Sequence, residues 1–267
     1  MADRIDSYSV TYGSFASELS AEIRREAFGE DIGQNSWTTA PEQLGFAASA
    51  ALTPASHLLE VGCGSGGPAL FLARSVGLSI TGIDINAAGI DAANQAAEAA
   101  GLAARARFRC TDAGAAFPFG EASFDAAQII DAINHIPDRP ALLAELHRVL
   151  KPGAILLYTD PVVITGPVTN EELALRSSIG FFVFMPPGEN ERMLAAAGFK
   201  VKGVEDRTRN VVETSRGRLE AREKRRAALI ELEGQNGFDG YQTFLGIVHA
   251  LSSSGRLSRF AFLAERI

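Results

Sequence analysis

Cysteine is scarce. Cys63 and Cys110 are the only two in 267 residues, too few for a disulfide-rich framework and suited to a reducing compartment, although one bridge stays open. Positive charge is in deficit. Lys and Arg number 25 against 32 Asp and Glu, a formal charge of −7, which speaks against nucleic-acid binding through bulk charge, because that needs a net basic face. No stretch approaches the roughly 18 apolar residues of a membrane span. The greasiest segment, Ile179 to Met185, stops at Pro186-Pro187. The opening MADRIDSYSV has acids at Asp3 and Asp6 and no apolar run, unlike a secretory signal. A cytoplasmic protein is expected, with neither membrane nor nucleic acid as partner.

What is present is globular. Hydrophobic residues at 46% and charged residues at 21% exclude disorder as the main state. At about 150 residues per domain the length allows one large α/β domain or two small ones. No repeat or linker separates a second. We therefore expect one domain over 1–267, with an N-terminal helical cap (1–53), a ligand-binding half (54–160) and a substrate-side half with lid helices (161–267).

Residues 14–28 read as an amphipathic helix closed by Gly29, and 29–38 as a polar loop holding the lone Trp37. Pro41 suits the first turn of a helix to about Leu52. From residue 56 strands and helices alternate: HLLEVG, a glycine-rich turn, helix 68–76, SITGID, a helix capped by Asn86, ARFRCTD, FDAAQIID, helix 140–150, a turn at Lys151-Pro152-Gly153, then AILLYTD. Such alternation means βαβ units and a parallel sheet. Further on, Thr169 and Glu172 have capping-box spacing, 188–197 look helical, and FKVKGVED reads as a strand. Charged helices are expected at 210–233 and 239–252, and LSRFAFLAERI as a closing strand.

The stretch Glu60-Val61-Gly62-Cys63-Gly64-Ser65-Gly66-Gly67 lies between a strand and a helix. Glycines there let the backbone approach a ligand, and the helix start offers unpaired N–H groups. Gly62, Gly64 and Gly67 also satisfy G-x-G-x-x-G, a dinucleotide fingerprint that is weak alone. The acids discriminate. Asp84 ends the second strand and can accept from both ribose hydroxyls of either cofactor type. Asp112 ends the third and can accept from an adenine amine. Glu60 can face an ammonium, whereas a pyrophosphate there would be repelled. Three acids favour a cationic, phosphate-free nucleoside.

The blocks EVGCGSGGP, TGIDIN, CTDA, FDAAQIIDAINHIPD and LHRVLKPGAIL, in that order over about 56–160, resemble class I S-adenosylmethionine-dependent methyltransferases. The resemblance implies a Rossmann-like seven-stranded, mostly parallel sheet with helices on both faces and an antiparallel last strand. It implies S-adenosylmethionine as cofactor, leaving S-adenosylhomocysteine. Carried over, the cofactor contacts fall on Gly62, Gly64, Gly66, Asp84, Ile85, Asp112, Ala113, Ile130 and Asp131, with Glu60 beside them. Trp37 and Thr38 either close over the cofactor or pin the cap to the core. Asp125 reads as structural.

Substrates of open α/β sheets bind beyond the carboxyl ends of the strands, where Asn134 and His135 follow the fourth strand. DAINH, with Gly33, Asn35, Thr38 and Thr39 ahead of the glycine loop, is similar to phosphoethanolamine methyltransferases, in which the His pairs with an N-terminal Tyr; here Tyr12 or Tyr8. His135 is a candidate general base, its alternative being a pocket-lining role. Phe181, Phe182, Phe184 and Met185 form either a substrate lid or plain core. As a lid they imply a partly hydrophobic acceptor. The basic run Arg216, Arg218, Arg222, Lys224, Arg225, Arg226 reads as a solvated helix face, with Glu220 and Lys224 paired, or as a site for an anionic group. No metal-ligand spacing is present. The function expected is methyl transfer to N, O or C of a small molecule. The alternatives are a nicotinamide-dependent oxidoreductase, and a protein of this fold that binds S-adenosylmethionine without transferring methyl.

Overall fold

The computed structural model describes residues 17–267. Helices α1 (Glu18–Phe28) and α2 (Ala40–Ser49) precede strand β1 (His57–Val61). Then follow α3 (Gly67–Val76), β2 (Ser79–Asp84), α4 (Ala87–Ala99), β3 (Ala106–Cys110) and β4 (Phe124–Ile129). A 3-10 turn at Ile133–His135 leads to α5 (Arg139–Val149), β5 (Leu150–Ile164), α6 (Asn170–Arg176), α7 (Glu189–Ala196) and β6 (Phe199–Asp206). The chain ends in α8 (Thr208–Lys224), α9 (Arg226–Ser253) and β7 (Leu257–Arg266).

The seven strands form one sheet in the order β3-β2-β1-β4-β5-β7-β6. The first five are parallel, and β7 lies antiparallel between β5 and β6. A parallel sheet is covered on both faces, so its strands read as near-continuous apolar runs; Leu58, Leu59 and Val61 of β1 are all buried. Leu72, Ala73, Ala93 and Ala97 of α3 and α4 pack one face, and Leu142, Leu143 and Leu146 of α5 the other.

The expected helix signals act as read. Asn86 Oδ1 accepts from Gly89 N at 2.9 Å, and Thr169 and Glu172 form a reciprocal capping box. Two boundaries are corrected. Lys151-Pro152-Gly153 is no turn: β5 runs through it, and a register shift between Phe124 and Ala126 of β4 absorbs the irregularity. As expected, Gly234, non-helical at φ 75° and ψ 160°, divides α9 into two helical stretches, but the expected helix 210–233 is itself broken at Arg225. At that break Arg225 turns back to the Ala221 carbonyl and pairs with Glu22 and Glu26 of α1. The cap is thus tied to the C-terminal helices.

Candidate functional site

Beyond the carboxyl ends of β1 to β4 lies a cleft of about 1370 Å³, roofed by residues of α6 and α9. Pockets for one small ligand span about 300–1,000 Å³, so this cleft has room for two.

Its floor is the glycine loop. Gly62 adopts φ +74°, and a Cβ there would collide with the Ala132 methyl. At Gly67 a Cβ would overlap the Gly33 and Ile32 carbonyl oxygens; the loop after α1 rests directly on the start of α3. Asp84 orders the turn by accepting from Gly64 N through one carboxylate oxygen and Asn86 N through the other, each at 2.8 Å. Asp112 stands opposite, accepting from Gly114 N at 2.8 Å.

Glu60 is buried at the base of the cleft. Its Oε1 accepts from Gln128 Nε2 at 3.0 Å, while Oε2 has no hydrogen-bond partner. Burial pushes its carboxyl up to about 8, and the Asp84 charge adds to the rise. Among the described residues lining the cleft there is no Lys or Arg. Such a donor set fits a cation and leaves a pyrophosphate without a counter-charge. Cys63 also lines the cleft, but burial pushes its thiol well up, which leaves it inert at neutral pH.

Ile85, Ala113, Ile130, Asp131, His135 and Phe181 line the same cleft. A smaller inner chamber of about 50 Å³ adjoins it, sharing Asp131, His135 and Tyr241 and adding Trp37, Asn134, Arg176, Phe182, Arg218 and Phe244. His135 Nδ1 lies 2.8 Å from the Phe181 carbonyl. A carbonyl only accepts, so Nδ1 carries the proton and Nε2 is the basic nitrogen. Desolvation lowers this imidazole to about 4, which makes it neutral at pH 7.

Several expected site residues stand elsewhere. Trp37 faces the inner chamber, its N–H held by Asp131 Oδ2 at 2.9 Å and its ring packed with Val211, Phe244 and Val248; it pins the cap. Thr38 is buried and accepts from Gln43 Nε2 at 3.3 Å, away from the cleft. Gly66 packs toward Ala93 and Phe108. Asp131 borders the cleft, yet its carboxylate accepts from Trp37 N, Thr159 Oγ1 and Arg259 Nε. Phe184 lines neither cavity, and Met185 packs on the core while its backbone bonds Val162 and Ile164 of β5. Tyr8 and Tyr12 lie outside the described residues. Asp125 accepts from His57 N and Lys151 Nζ, a structural tie. The basic run is no uniform solvated face: Arg222 pairs bidentately with Glu233, and Lys224 reaches Glu26 rather than Glu220.

Sequence reasoning missed Ser36, Arg176, Tyr241 and Phe244, while Asn35, singled out there, does line both cavities. Most sit on helices whose inward faces depend on how the cap docks. The long apolar-polar mix of α9 carried no sign of which face meets the sheet.

Residues 59–158 match the methyltransferase domain family. The chain is 39% identical over 114 residues to an O-methyltransferase of Pyrenophora dematioidea, a match covering 43% of this chain and only 42% of that protein's length. It is 28% identical over 260 residues to the O-methyltransferase resE of Aspergillus sclerotiorum, covering 96% of this chain and 94% of that one. Among solved structures, phosphoethanolamine N-methyltransferase 2 of Haemonchus contortus, in complex with phosphomonomethylethanolamine and S-adenosylhomocysteine, superposes with a TM-score of 0.81 at 21% identity. That alignment covers 97% of this chain and 60% of that one. The chain carries the class I methyltransferase fold.

Proposed function

We propose that this chain, with its class I small-molecule methyltransferase fold, is an S-adenosylmethionine-dependent methyltransferase acting on a small acceptor. The observation that carries the reading is the buried Oε2 of Glu60, unpartnered among the described residues, in a cleft whose described lining holds no Lys or Arg. An ammonium satisfies that carboxylate; a pyrophosphate does not. In this reading Asp84 and Asp112, at the ends of the next two strands, accept from a ribose and an adenine amine. The glycine turn lets a ligand lie against the backbone.

When bound, S-adenosylmethionine supplies an electrophilic methyl on a sulfonium. The chain's own part is to hold the acceptor in line and take its proton. Positioning of this kind lowers a barrier by about 7–11 kcal/mol. His135 lines both cavities and is neutral at pH 7, and in this reading it acts as a weak base for a hydroxyl or ammonium acceptor.

Calorimetric titration with S-adenosylmethionine, S-adenosylhomocysteine and NAD tests the reading. Binding of the first two and not the third is expected. Binding of NAD alone would return the chain to the oxidoreductases. A bound S-adenosylmethionine that no acceptor converts to S-adenosylhomocysteine would mark a cofactor held without methyl transfer.

A further inference from the structure

The inner chamber specifies the acceptor, on the premise of the methyltransferase reading. Asn134 is 1% exposed and lines this chamber, and neither its amide nitrogen nor its oxygen has a hydrogen-bond partner among the described residues. Its backbone carbonyl accepts from Val183 N at 2.8 Å, which places the residue while its side chain is not satisfied. A buried amide in that state marks a site for something else to bond.

Arg218 stands on the opposite wall. Its guanidinium lies 5.4 Å from the Trp37 ring and 5.6 Å from the Tyr241 ring, and donates to the Tyr241 hydroxyl. Among the described residues no carboxylate pairs with it, whereas Arg222, Arg225 and Arg226 of the same run each hold a glutamate. Arg176, 2% exposed, lies 4.4 Å over the Phe182 ring and adds a second guanidinium. The acid of the chamber, Asp131, stands 2.7 Å from the Arg259 guanidinium, which it shares with Glu42. The chamber therefore combines two arginines against one aspartate in its lining, flat aromatic walls and an unsatisfied amide.

We propose that this chamber receives the acceptor as a flat, unsaturated acid. Its ionised oxygen faces Arg218 and accepts from the Asn134 Nδ2–H. At about 50 Å³ the chamber takes the ionised group, and the ring extends past Tyr241, which lines both cavities, into the cleft. A hydroxyl beside the ionised oxygen donates to Asn134 Oδ1. The ionised oxygen belongs to a carboxylate or to an acidic phenol, and both are planar anions that guanidinium and amide donors recognise.

Trp37 is the chain's single tryptophan and serves as the reporter. The full chain is titrated with benzoate, with pentafluorophenolate and with neutral benzamide, with and without S-adenosylhomocysteine, by Trp37 fluorescence and calorimetry. At least one anion is expected to bind about tenfold or more tighter than benzamide; which one identifies the oxygen. Asn134→Leu removes an unpaired buried amide, so its denaturation midpoint is expected to hold or rise while anion affinity falls about tenfold. A merely structural asparagine would give the reverse. Arg218→Gln is expected to erase the preference for anion over amide, which keeps the test decisive if the Asn134 variant does not fold. Equal binding of benzoate, pentafluorophenolate and benzamide, no response to either anion, or parental anion affinity in a folded Asn134→Leu would overturn the proposal. S-adenosylhomocysteine binding is measured separately. If it binds and the anions do not, this inference falls alone; if it does not bind, the methyltransferase reading falls.

Discussion

Arg259 and Asp131 are 128 positions apart in the chain, and Arg259 Nε stands 2.7 Å from Asp131 Oδ1. The same guanidinium donates through Nη1 to both oxygens of Glu42, at 2.7 and 3.0 Å. Asp131 also accepts from Thr159 Oγ1 at 2.7 Å and from Trp37 N at 2.9 Å. One fully buried arginine of β7 thus joins α2, the loop before it and the end of β4 beneath the cleft. Asp131 has a φ of 54°, a conformation that non-glycine residues hold only when surrounding bonds impose it.

Arg259→Met leaves the buried Asp131 without a counter-charge and Glu42 with Arg207 alone, at 4.0 Å. A stability loss of about 3–5 kcal/mol is expected, as for other broken buried ion pairs. Urea denaturation measures it. A loss below about 1 kcal/mol would mean that the carboxylates find water or protons, and that the network does not hold the cap.

Gly67→Ala places a methyl against the Gly33 and Ile32 carbonyl oxygens. The loop between α1 and α2 is expected to lift from the glycine turn, at a cost of about 1–3 kcal/mol. Trp37 lies in that loop, so its emission should shift to the red. An unshifted spectrum with parental stability would refute the close approach.

Glu60 has a folded-state carboxyl near 8, raised by burial from the ordinary 4.5. Between those values the folded chain holds a proton that the unfolded chain has lost, so stability falls as pH rises through that window. Glu60→Gln should flatten this slope and stabilise the protein at pH 8. An ammonium seated at Glu60 would favour the carboxylate, so cofactor binding below pH 8 should release protons. Calorimetry in buffers of different ionisation enthalpy reads this directly; Glu60→Gln should abolish the dependence.

His135 is lowered to about 4 by desolvation. Its basic form is therefore present throughout pH 5.5–8, and turnover should show no inflection near 6.5 from this residue. His135→Ala is expected to lose about 10²–10⁴ in kcat if the imidazole takes the acceptor's proton. A parental kcat across that pH range would reduce it to a wall of the pocket.

Much of the frame is legible without coordinates. Strand-helix alternation, the Asn86 and Thr169 caps and the β6 span of FKVKGVED are local signals, and local signals survive folding. The glycine turn, Asp84 and Asp112 are equally legible, because each sits at a strand end whose position follows from the periodicity. Thr38, Gly66, Phe184 and Met185 misled for one reason. Their neighbours in sequence border the cavities, but which side of a loop faces a cavity is set by partners outside the loop, Gln43 of α2 for Thr38 and the core for Met185.

By itself the sequence determined a parallel α/β sheet, a glycine turn fit for a nucleoside and an acidic rather than basic ligand floor. These depend on residue type and on spacing within a few turns of chain. The tertiary structure alone decided which charges remain to act. Arg218 and Arg222 are alike in sequence, yet Glu233 is held by Arg222 while Arg218 is turned over Trp37 toward the chamber. Glu42 and Asp131 are spent on Arg259, while Glu60 keeps an oxygen unpaired. Pairing among charges depends on distances between elements far apart in the chain, and the Coulomb and desolvation energies that govern it arise only once those elements are packed.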